Sequence, residues 1–390
     1  MSTENRWLLP EGIDELLPER AAQLEALRRR LLDQCATWGY RYIIPPLIEF
    51  TDSLLIGLGA DLDVVTCKFT DQMSGRMLGV RADITPQTAR MDAHSLGEEG
   101  VTRLCYAGST LQSTPQSVIS GRAPIQLGAE LFGSSAIEAD SEIIGLMLST
   151  FECAGVSRPL TLDIGHIGIY DALFSDAGLD PEMEDQVFDA LQRKSAPDIE
   201  RLSASLPTRE AERLAQLVSL HGSPDVLASA RAAFPDEPAV MAALDQLDTV
   251  LAGVQQAFPD VGVYVDLTEL RGFRYHTGLV FAVYLEGRGS AIAKGGRYDN
   301  IGAVFGRDRP ATGFAIDLKA LVDDAQQTEA TDVPVIAPQS EDAKLRAAVT
   351  ALRAAGRTVV MDVAPGVDLP NAERLVLSGG EWIIAGSTAS

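Results

Sequence analysis

Residues 81–87 carry side chains that are well suited to holding a small charged ligand. They read RADITPQ, so Arg81, Asp83 and Thr85 alternate and share one face if the segment is extended. Asp83 and Thr85 can accept hydrogen bonds from an ammonium group, and an arginine can pair with a carboxylate through two parallel bonds. The segment therefore suits a zwitterion such as an amino acid, although a solvated strand end with a capping threonine explains the same residues.

A second polar face is expected in residues 124–132, which we predict to be a strand. Gln126, Gly128 and Glu130 occupy every second position, so their side chains point to the same side of a sheet. Gly128 leaves room above the sheet, where a ligand could lie between the two polar side chains. An exposed strand face with one glycine bulge is an equally good interpretation.

Two glycine-containing stretches add aromatic and imidazole groups. Residues 269–278 read ELRGFRYHTG and place Tyr275 and His276 in a predicted loop before a strand. Residues 295–299 read GGRYD, and we predict a glycine turn whose backbone can approach a ligand closely. A lone histidine is more often structural than functional, so His276 alone does not establish a site.

Cysteine spacing and net charge argue against metal and nucleic-acid binding. The four cysteines and four histidines are far apart, and no C-x-x-C pair is present, so we predict buried free thiols, no metal and no cofactor. The net charge of −23 counts against nucleic acid as the main partner, because phosphate binding needs a basic surface. No basic start followed by an apolar run and no stretch of about 18 apolar residues is present, which predicts a cytoplasmic protein without membrane contact.

The elements that must position these residues predict an α+β fold with a largely antiparallel sheet. Strands separated by turns come first, then helices, then further strands, and a regular βαβ alternation is missing. We predict helices at 19–37 and 138–154, and strands at 40–44, 64–71, 77–81, 103–108, 124–132, 262–267, 279–285 and 290–293. No G-x-G-x-x-G follows a strand, which argues against a dinucleotide-binding domain.

The pattern divides the chain into two domains. Residues 170–257 are rich in Ala, Leu, Asp and Glu at helical spacing and are predicted to be a helical insertion within a domain of residues 1–322. The polar stretch 323–332 is a predicted linker. Residues 333–390 then predict a small α/β domain, with a helix at 341–355 and strands at 333–337, 357–363 and 374–385.

In this order, the motifs resemble the catalytic domain of histidyl-tRNA synthetase, a class II aminoacyl-tRNA synthetase. The resemblance covers residues 8–322 and rests on the segments 9–12, 39–49, 67–85, 126–130, 271–276 and 295–299. It implies an antiparallel sheet flanked by helices. It also implies a histidine pocket formed by Asp83, Thr85 and Gln126 around the amino group, Glu130, Tyr275 and His276 around the imidazole, and Arg271 facing the carboxylate. Buried polar partners of this kind penalise ligands that cannot pair with them.

The sequence departs from that family where ATP would bind. The family has a Phe-Arg-x-Glu run shortly after a Tyr-x-Gly, whereas the residues that follow Gly108 here read STLQST. The family's last motif ends Gly-Leu-Glu-Arg, whereas residues 317–320 read DLKA. Each preorganised donor at developing charge is worth about 3–4 kcal/mol, so losing both arginines would slow the reaction on the order of 10⁴-fold or more. We therefore predict no catalytic residues.

These losses, together with residues 81–87 and 275–278, resemble the regulatory subunits of ATP phosphoribosyltransferase. The resemblance implies a homodimer within a hetero-oligomer. In it, the chain would activate a short-form catalytic subunit in the first step of histidine biosynthesis and contribute to feedback inhibition by bound histidine. Two alternatives stay open. A histidine-activating synthetase-like enzyme would show histidine-dependent ATP–pyrophosphate exchange, and a histidine-binding module acting on tRNA or on another enzyme would co-purify with that partner.

Overall fold

The structure is a computed structural model, and it describes residues 7–55, 59–115, 121–270, 275–327, 333–363, 369 and 371–385. The chain forms two compact units, Met1–Gln326 and Gln327–Ser390. The helices of the first unit are α1 (Pro18–Thr37), α2 (Thr51–Leu54), α3 (Gly59–Val65), α4 (Thr85–Arg90), α5 (Ile137–Ala154), α6 (Ile167–Phe174), α7 (Pro181–Gln192), α8 (Ala196–Ser203), α9 (Thr208–Leu217), α10 (Val226–Ala233), α11 (Pro238–Ala257) and α12 (Leu318–Leu321).

Two sheets belong to this first unit. Their strands are β1 (Arg41–Tyr42), β2 (Ile48–Phe50), β3 (Cys67–Thr70), β4 (Met77–Val80), β5 (Thr102–Ser109), β6 (Ile125–Phe132), β7 (Leu160–His166), β8 (His221–Gly222), β9 (Gly262–Asp266), β10 (Leu279–Leu285), β11 (Ala293–Arg297) and β12 (Ala311–Asp317). The larger sheet has the order β1-β5-β6-β12-β11-β10-β7-β9-β8, and the smaller one has the order β2-β4-β3. Only the pairs β1–β5 and β7–β9 run parallel among these described strands. The predicted α+β class with a largely antiparallel sheet is confirmed.

Helices α1 and α5 cover one face of the large sheet. The buried side of α1 presents Leu24, Leu27 and Leu31 at helical spacing, as the sequence predicts, and α5 is buried along most of its length. The odd-numbered residues of β6, including Leu127 and Ala129, pack into this core. Burial of such side chains provides the main stabilisation of the unit, at about 25 cal/mol per Å² of apolar surface. The even-numbered residues of β6 are therefore left on the opposite face.

Helices α6 to α11 form the predicted helical insertion. Their inward residues, such as Leu214 and Leu247, are fully buried and continue the main core. The insertion begins at Ile167, directly after β7, a few residues earlier than predicted. It also contributes the short strand β8, which pairs with β9 through His221 and Asp266.

Several local predictions are wrong. Residues 64–65, predicted as strand, complete α3, and the strand β7 was not predicted. The predicted strand 290–293 and glycine turn 295–299 are replaced by β11, which runs through both glycines. A Cβ atom on Gly295 would collide with the ring of Phe281, so the glycines serve close packing rather than a turn. The cysteines are free as predicted, but Cys67 and Cys153 are only partly buried.

The second unit is a small α/β fold. Its elements are β13 (Val335–Ala337), α13 (Ala343–Ala354), β14 (Val359–Met361), β15 (Glu373–Ser378) and β16 (Glu381–Ile384), in the sheet order β14-β13-β15-β16. The predicted single strand 374–385 is thus a hairpin, because Gly379 and Gly380 adopt positive φ and turn the chain. No helix in the described parts of either unit is both long and apolar enough to cross a bilayer.

Candidate functional site

The face of the large sheet opposite α1 and α5 has several glycines at its centre. Strand register places Gly128 beside Tyr106, and Gly313 between Glu130 and Gly296. A Cβ atom on Gly313 would overlap the carboxylate of Glu130, and one on Gly128 would overlap the Tyr106 hydroxyl. The glycines therefore keep this face open for the polar side chains that lie across it.

A buried carboxyl group is the centre of the site. The hydroxyls of Thr85 and Tyr106 lie 2.9 and 3.0 Å from Oε1 of Glu130, and the Tyr298 hydroxyl donates to Oε2. Glu130 is only 1% exposed. Burial raises the pKa of Glu130 to about 8, although the hydrogen bonds from Tyr298 and Thr85 oppose the shift. Near neutral pH this group is a largely protonated acid among hydroxyls, suited to polar ligand atoms.

Next to this carboxyl group, Asp83 and Gln126 form a second polar pair. The side-chain amide of Gln126 donates to Oδ1 of Asp83 at 2.8 Å, and its carbonyl accepts from the backbone N–H of Ile84 at 2.9 Å. The backbone N–H of Thr85 also donates to Oδ1 of Asp83, at 3.0 Å. The two bonds to Asp83 both use its Oδ1 atom, so its Oδ2 atom can accept from an ammonium group.

Aromatic rings line the side of the site. The ring centroids of Tyr275 and His276 are 4.0 Å apart, and those of Tyr275 and Tyr298 are 6.4 Å apart. Burial, together with the charges of Asp83 and Glu130, raises the pKa of Tyr275. His276 lies against Gly296, where an added Cβ atom would be 2.7 Å from the imidazole Cδ2. The rings therefore enclose the carboxyl groups from the β11 side.

The structure brings together most of the predicted site residues. Those that meet around Glu130 are Asp83, Thr85, Gln126, Tyr275 and His276. Arg271 lies outside the described residues. The sequence did not lead us to predict Tyr106 and Tyr298 as members of the site. Tyr106 begins the Tyr-x-Gly segment that ends at Gly108, and Tyr298 lies within residues 295–299. Their signal was available in the strand alternation, since Tyr106 faces the same side as Glu130 once β5 and β6 are paired.

The predicted role of Arg81 beside Asp83 is wrong. Strand β4 ends at Val80, so residues 81–85 do not alternate along a strand. The buried guanidinium of Arg81 instead donates to the backbone carbonyls of Ser109 and Pro45, each at 2.8 Å. These bonds use two of its donors inside the protein and tie the end of β5 to the segment before β2. Arg81 is therefore structural.

The far end of the same face has a different character. Asp317, at the end of β12, caps α12 by accepting from the N–H of Lys319 at 3.0 Å, and burial raises the pKa of Asp317. Lys319 pairs with Asp14 at 2.7 Å, and Arg20 pairs with Asp323 at 2.9 Å. The guanidinium of Arg122 donates to the carbonyl of Gln112 at 2.9 Å. In this part of the described chain, Lys319, Arg20 and Arg122 are therefore already bonded to carboxylates or carbonyls of the protein.

Beyond β10, the face carries three neighbouring carboxylates. Oxygens of Asp163, Asp266 and Glu269 lie within 4.8 Å of one another in the described residues. Such a group has the donor atoms that a cation requires. However, Lys194 already forms an ion pair with Asp266 at 2.6 Å, so the cluster has an internal counter-charge.

Comparisons with known proteins agree with this geometry. The family model of histidyl-tRNA synthetase matches residues 12–321, and the model described as the ATP phosphoribosyltransferase subunit HisZ C-terminal domain matches residues 333–385. A protein of Marinobacter nauticus named ATP phosphoribosyltransferase regulatory subunit is 47% identical over 391 residues, which cover 98% of this chain and 99% of the relative.

Solved structures extend the likeness. A Bacillus halodurans structure titled as an ATP phosphoribosyltransferase regulatory subunit/histidyl-tRNA synthetase superposes with a TM-score of 0.82 at 27% identity, covering 96% of this chain and 98% of that one. A chain of the ATP phosphoribosyl transferase (HisG:HisZ) complex from Thermotoga maritima shares the fold, with a TM-score of 0.59 at 20% identity and coverage of 76% and 97%. The predicted fold class is confirmed.

Proposed function

This chain belongs to the family of ATP phosphoribosyltransferase regulatory subunits, and from that membership we propose that its site around Glu130 binds histidine and reports it to a catalytic partner. The predicted non-catalytic, regulatory role is confirmed by relatives of this name that match the whole chain. We also propose which residues hold histidine and which assembly the chain forms.

The buried network around Glu130 is the observation that carries the proposed ligand. A buried carboxyl group costs free energy unless its surroundings satisfy it, and an apolar cluster of the same volume would be cheaper to bury. Here the hydroxyls of Thr85, Tyr106 and Tyr298 form hydrogen bonds with the carboxyl group. Such a group can exchange one of these partners for an imidazole N–H, which supports histidine as the ligand.

The proposed placement follows the charges. Asp83 and Thr85 accept from the ammonium of histidine, with Gln126 holding Asp83 in place, because the Gln126 carbonyl is already bonded to the backbone of Ile84. Glu130, Tyr275 and His276 surround the imidazole. Arg271 faces the carboxylate, as the resemblance to histidyl-tRNA synthetase implies. An acceptor end and a cationic end are complementary to an amino-acid zwitterion.

The far end of the face supports a ligand without a triphosphate. A polyphosphate needs several free cations, and among the described residues those near 109–112 and 317–320 are bonded to carboxylates or carbonyls. Asp317 adds a carboxyl group there that serves as a helix cap. We therefore propose histidine alone as the occupant.

The proposed assembly is a homodimer bound to a short-form ATP phosphoribosyltransferase catalytic subunit, which the chain activates. One face of the small sheet carries Phe50, Leu78 and Phe69 in one register and Ile48 two residues before Phe50, and the exposed Ile48 and Phe69 make this face apolar. An exposed apolar face of this kind commonly marks a protein interface. We propose that a second copy covers it, and a cytoplasmic location stays a prediction.

Calorimetric titration of histidine tests the proposed function. The full chain, alone and reconstituted with a short-form catalytic subunit, is expected to bind histidine with one site per regulatory chain. Binding should be weakened strongly by Asp83→Ala, which removes the ammonium acceptor. If neither preparation takes up histidine, the proposed ligand is wrong, whereas loss of catalytic activation without this chain would still support its role as activator.

A further inference from the structure

The connection between β9 and β10 carries the proposed histidine contacts Tyr275 and His276, so the position of its described residues affects the shape of the pocket. This segment, described at residues 267–270 and 275–278, is called the site loop here. At its far end, the backbone N–H of Ile167, the first residue of α6, donates to the carbonyl of Gly278 at 2.9 Å. The helical insertion therefore begins where the site loop ends.

A buried carboxylate holds the beginning of the site loop. Asp266, the last residue of β9, is 3% exposed. Its Oδ1 atom accepts from the backbone N–H of Thr268 at 2.9 Å and from the Thr268 hydroxyl at 2.6 Å. The carboxylate thus shapes the first turn of the loop, and any displacement of Asp266 displaces the residues that follow it.

The other oxygen of this carboxylate is held by the helical insertion. The ammonium of Lys194, in the connection between α7 and α8, lies 2.6 Å from Oδ2 of Asp266. The Lys194 side chain is 32% exposed, whereas that of Asp266 is 4% exposed. The ion pair is therefore half-buried, and it joins two parts of the chain that are distant in sequence.

Lys194 has a backbone conformation that is unusual for a residue with a side chain. Lys194 has a φ of 49°, in the left-handed region that normally favours glycine at the end of a helix. Its N–H donates to the carbonyl of Leu191 at 2.9 Å, and the N–H of Ser195 donates to that of Ala190 at 3.0 Å, which closes α7. Glycine would serve this cap with less strain, so the lysine side chain supplies something that glycine lacks.

The carboxylates around Lys194 indicate that its side chain supplies a positive charge. Asp163 and Glu269 lie within 4.8 Å of Asp266, and carboxylates this close repel one another. Burial alone would lower the pKa of Lys194, but the bond to Asp266 and the nearby Asp163 raise it, so the ammonium stays charged. The positive charge offsets the repulsion at the point where the site loop leaves the sheet.

We propose that Lys194 is a positioning residue for histidine binding, which fixes the site loop through Asp266 and so couples the helical insertion to the pocket. The inference rests on the proposed function, since it concerns how the same pocket is held in shape. Movement of the α7–α8 connection would then change histidine affinity without touching the ligand.

The test is the histidine affinity of the full-length Lys194→Met variant. Removing the ammonium leaves the buried Asp266 carboxylate without its counter-charge, so histidine binding is expected to weaken about tenfold and the melting temperature to fall. Lys194→Arg keeps the charge and should restore affinity to within about threefold of the wild type. As a matched control, Lys344→Met breaks the 2.8 Å pair with Glu381 in the other compact unit and should leave affinity unchanged. Unchanged affinity in Lys194→Met would overturn the proposal.

Hydrogen exchange of the ligand-free chain separates this proposal from the proposed function. Peptides that span residues 267–278 should exchange several-fold faster in Lys194→Met than in the wild type or Lys344→Met. If the wild type does not bind histidine, the ligand assignment fails, while this measurement still decides the role of Lys194. Equal exchange rates in all the chains would refute it. Asp266→Asn should add no further loosening to Lys194→Met, whereas additive effects would also overturn the proposal.

Discussion

The two ends of this sheet face use similar polar residues for different purposes. At one end, called the pocket end here, Glu130 and Asp83 are bonded to hydroxyl and amide groups. At the other end, called the nucleotide end because the synthetase motifs for ATP fall there, Asp317 caps a helix and Lys319 pairs with Asp14. Strands β5, β6 and β12 carry both ends. A fold can therefore carry different polar groups at the two ends of one face, because the strands need only their register and core side.

The largest expected effect is a loss of histidine affinity at the pocket end. In Gly313→Ala, the new Cβ atom would overlap Glu130 and would lie 2.8 Å from the carbonyl of Ala129. The Glu130 carboxyl must then move, so histidine affinity should fall roughly 100-fold and the free energy of unfolding by about 1–3 kcal/mol. Calorimetry and urea unfolding measure both quantities.

Gly253→Ala is the control for this substitution. Gly253 lies in α11 with no atom within 4 Å of an added Cβ, so alanine should leave histidine affinity unchanged and stabilise the helix by up to about 1 kcal/mol. Retention of full affinity in Gly313→Ala would show that the pocket does not depend on the Glu130 position.

The next largest effect is the pH dependence of stability. The pKa of Glu130 is raised from 4.5 to about 8 in the folded chain, so the folded state keeps a proton that the unfolded state loses above about pH 4.5. The free energy of unfolding should therefore fall as pH rises from 5 to 8, by a few kcal/mol from this group. Glu130→Gln cannot lose a proton and should lack this contribution. Urea unfolding of both chains at pH 5 and pH 8 measures the difference, and parallel pH profiles would contradict it.

The smallest expected effect lies at the nucleotide end. Ala320→Arg restores a guanidinium at the position where the synthetase motif has one, yet histidine-dependent ATP–pyrophosphate exchange should stay at background. One restored donor, worth about 3–4 kcal/mol, cannot replace the missing arginine after β5 or free the cations that protein groups already hold. A histidyl-tRNA synthetase in the same assay provides the positive control. Measurable exchange by the variant would show that a single substitution separates the two ends.

Much of the fold could be predicted because core strands and amphipathic helices have strong periodic patterns. Leu24, Leu27 and Leu31 mark α1 without ambiguity, and the alternation around Gly128 correctly placed Gln126 and Glu130 on one face. The hairpin at Gly379 was missed although its turn signal was present, since residues 374–385 read RLVLSGGEWIIA and two adjacent glycines between strand-forming runs favour a tight turn. In β11 the error was the opposite one, because Gly295 and Gly296 were interpreted as a turn although the strand runs through them.

The site was harder to predict where contacts cross the sheet. The meeting of Tyr106 and Tyr298 on the two oxygens of Glu130 depends on strand order, which one sequence does not reveal. Arg81 was misplaced because its guanidinium satisfies backbone carbonyls, and local sequence gives no sign of such distant acceptors. The pair of Lys194 and Asp266 likewise joins segments 72 positions apart.

The glycines at the centre of the large sheet also affect the shape of the site. Gly128, Gly296 and Gly313 give the middle of the sheet no side chains of their own on this face, so Tyr106, His276 and Glu130 lie directly against the backbone of the strands. Any substitution that adds a Cβ atom there must displace one of these side chains or a strand. The contour of the site is thus set by the main chain of β6, β11 and β12 as much as by the polar groups that lie on it.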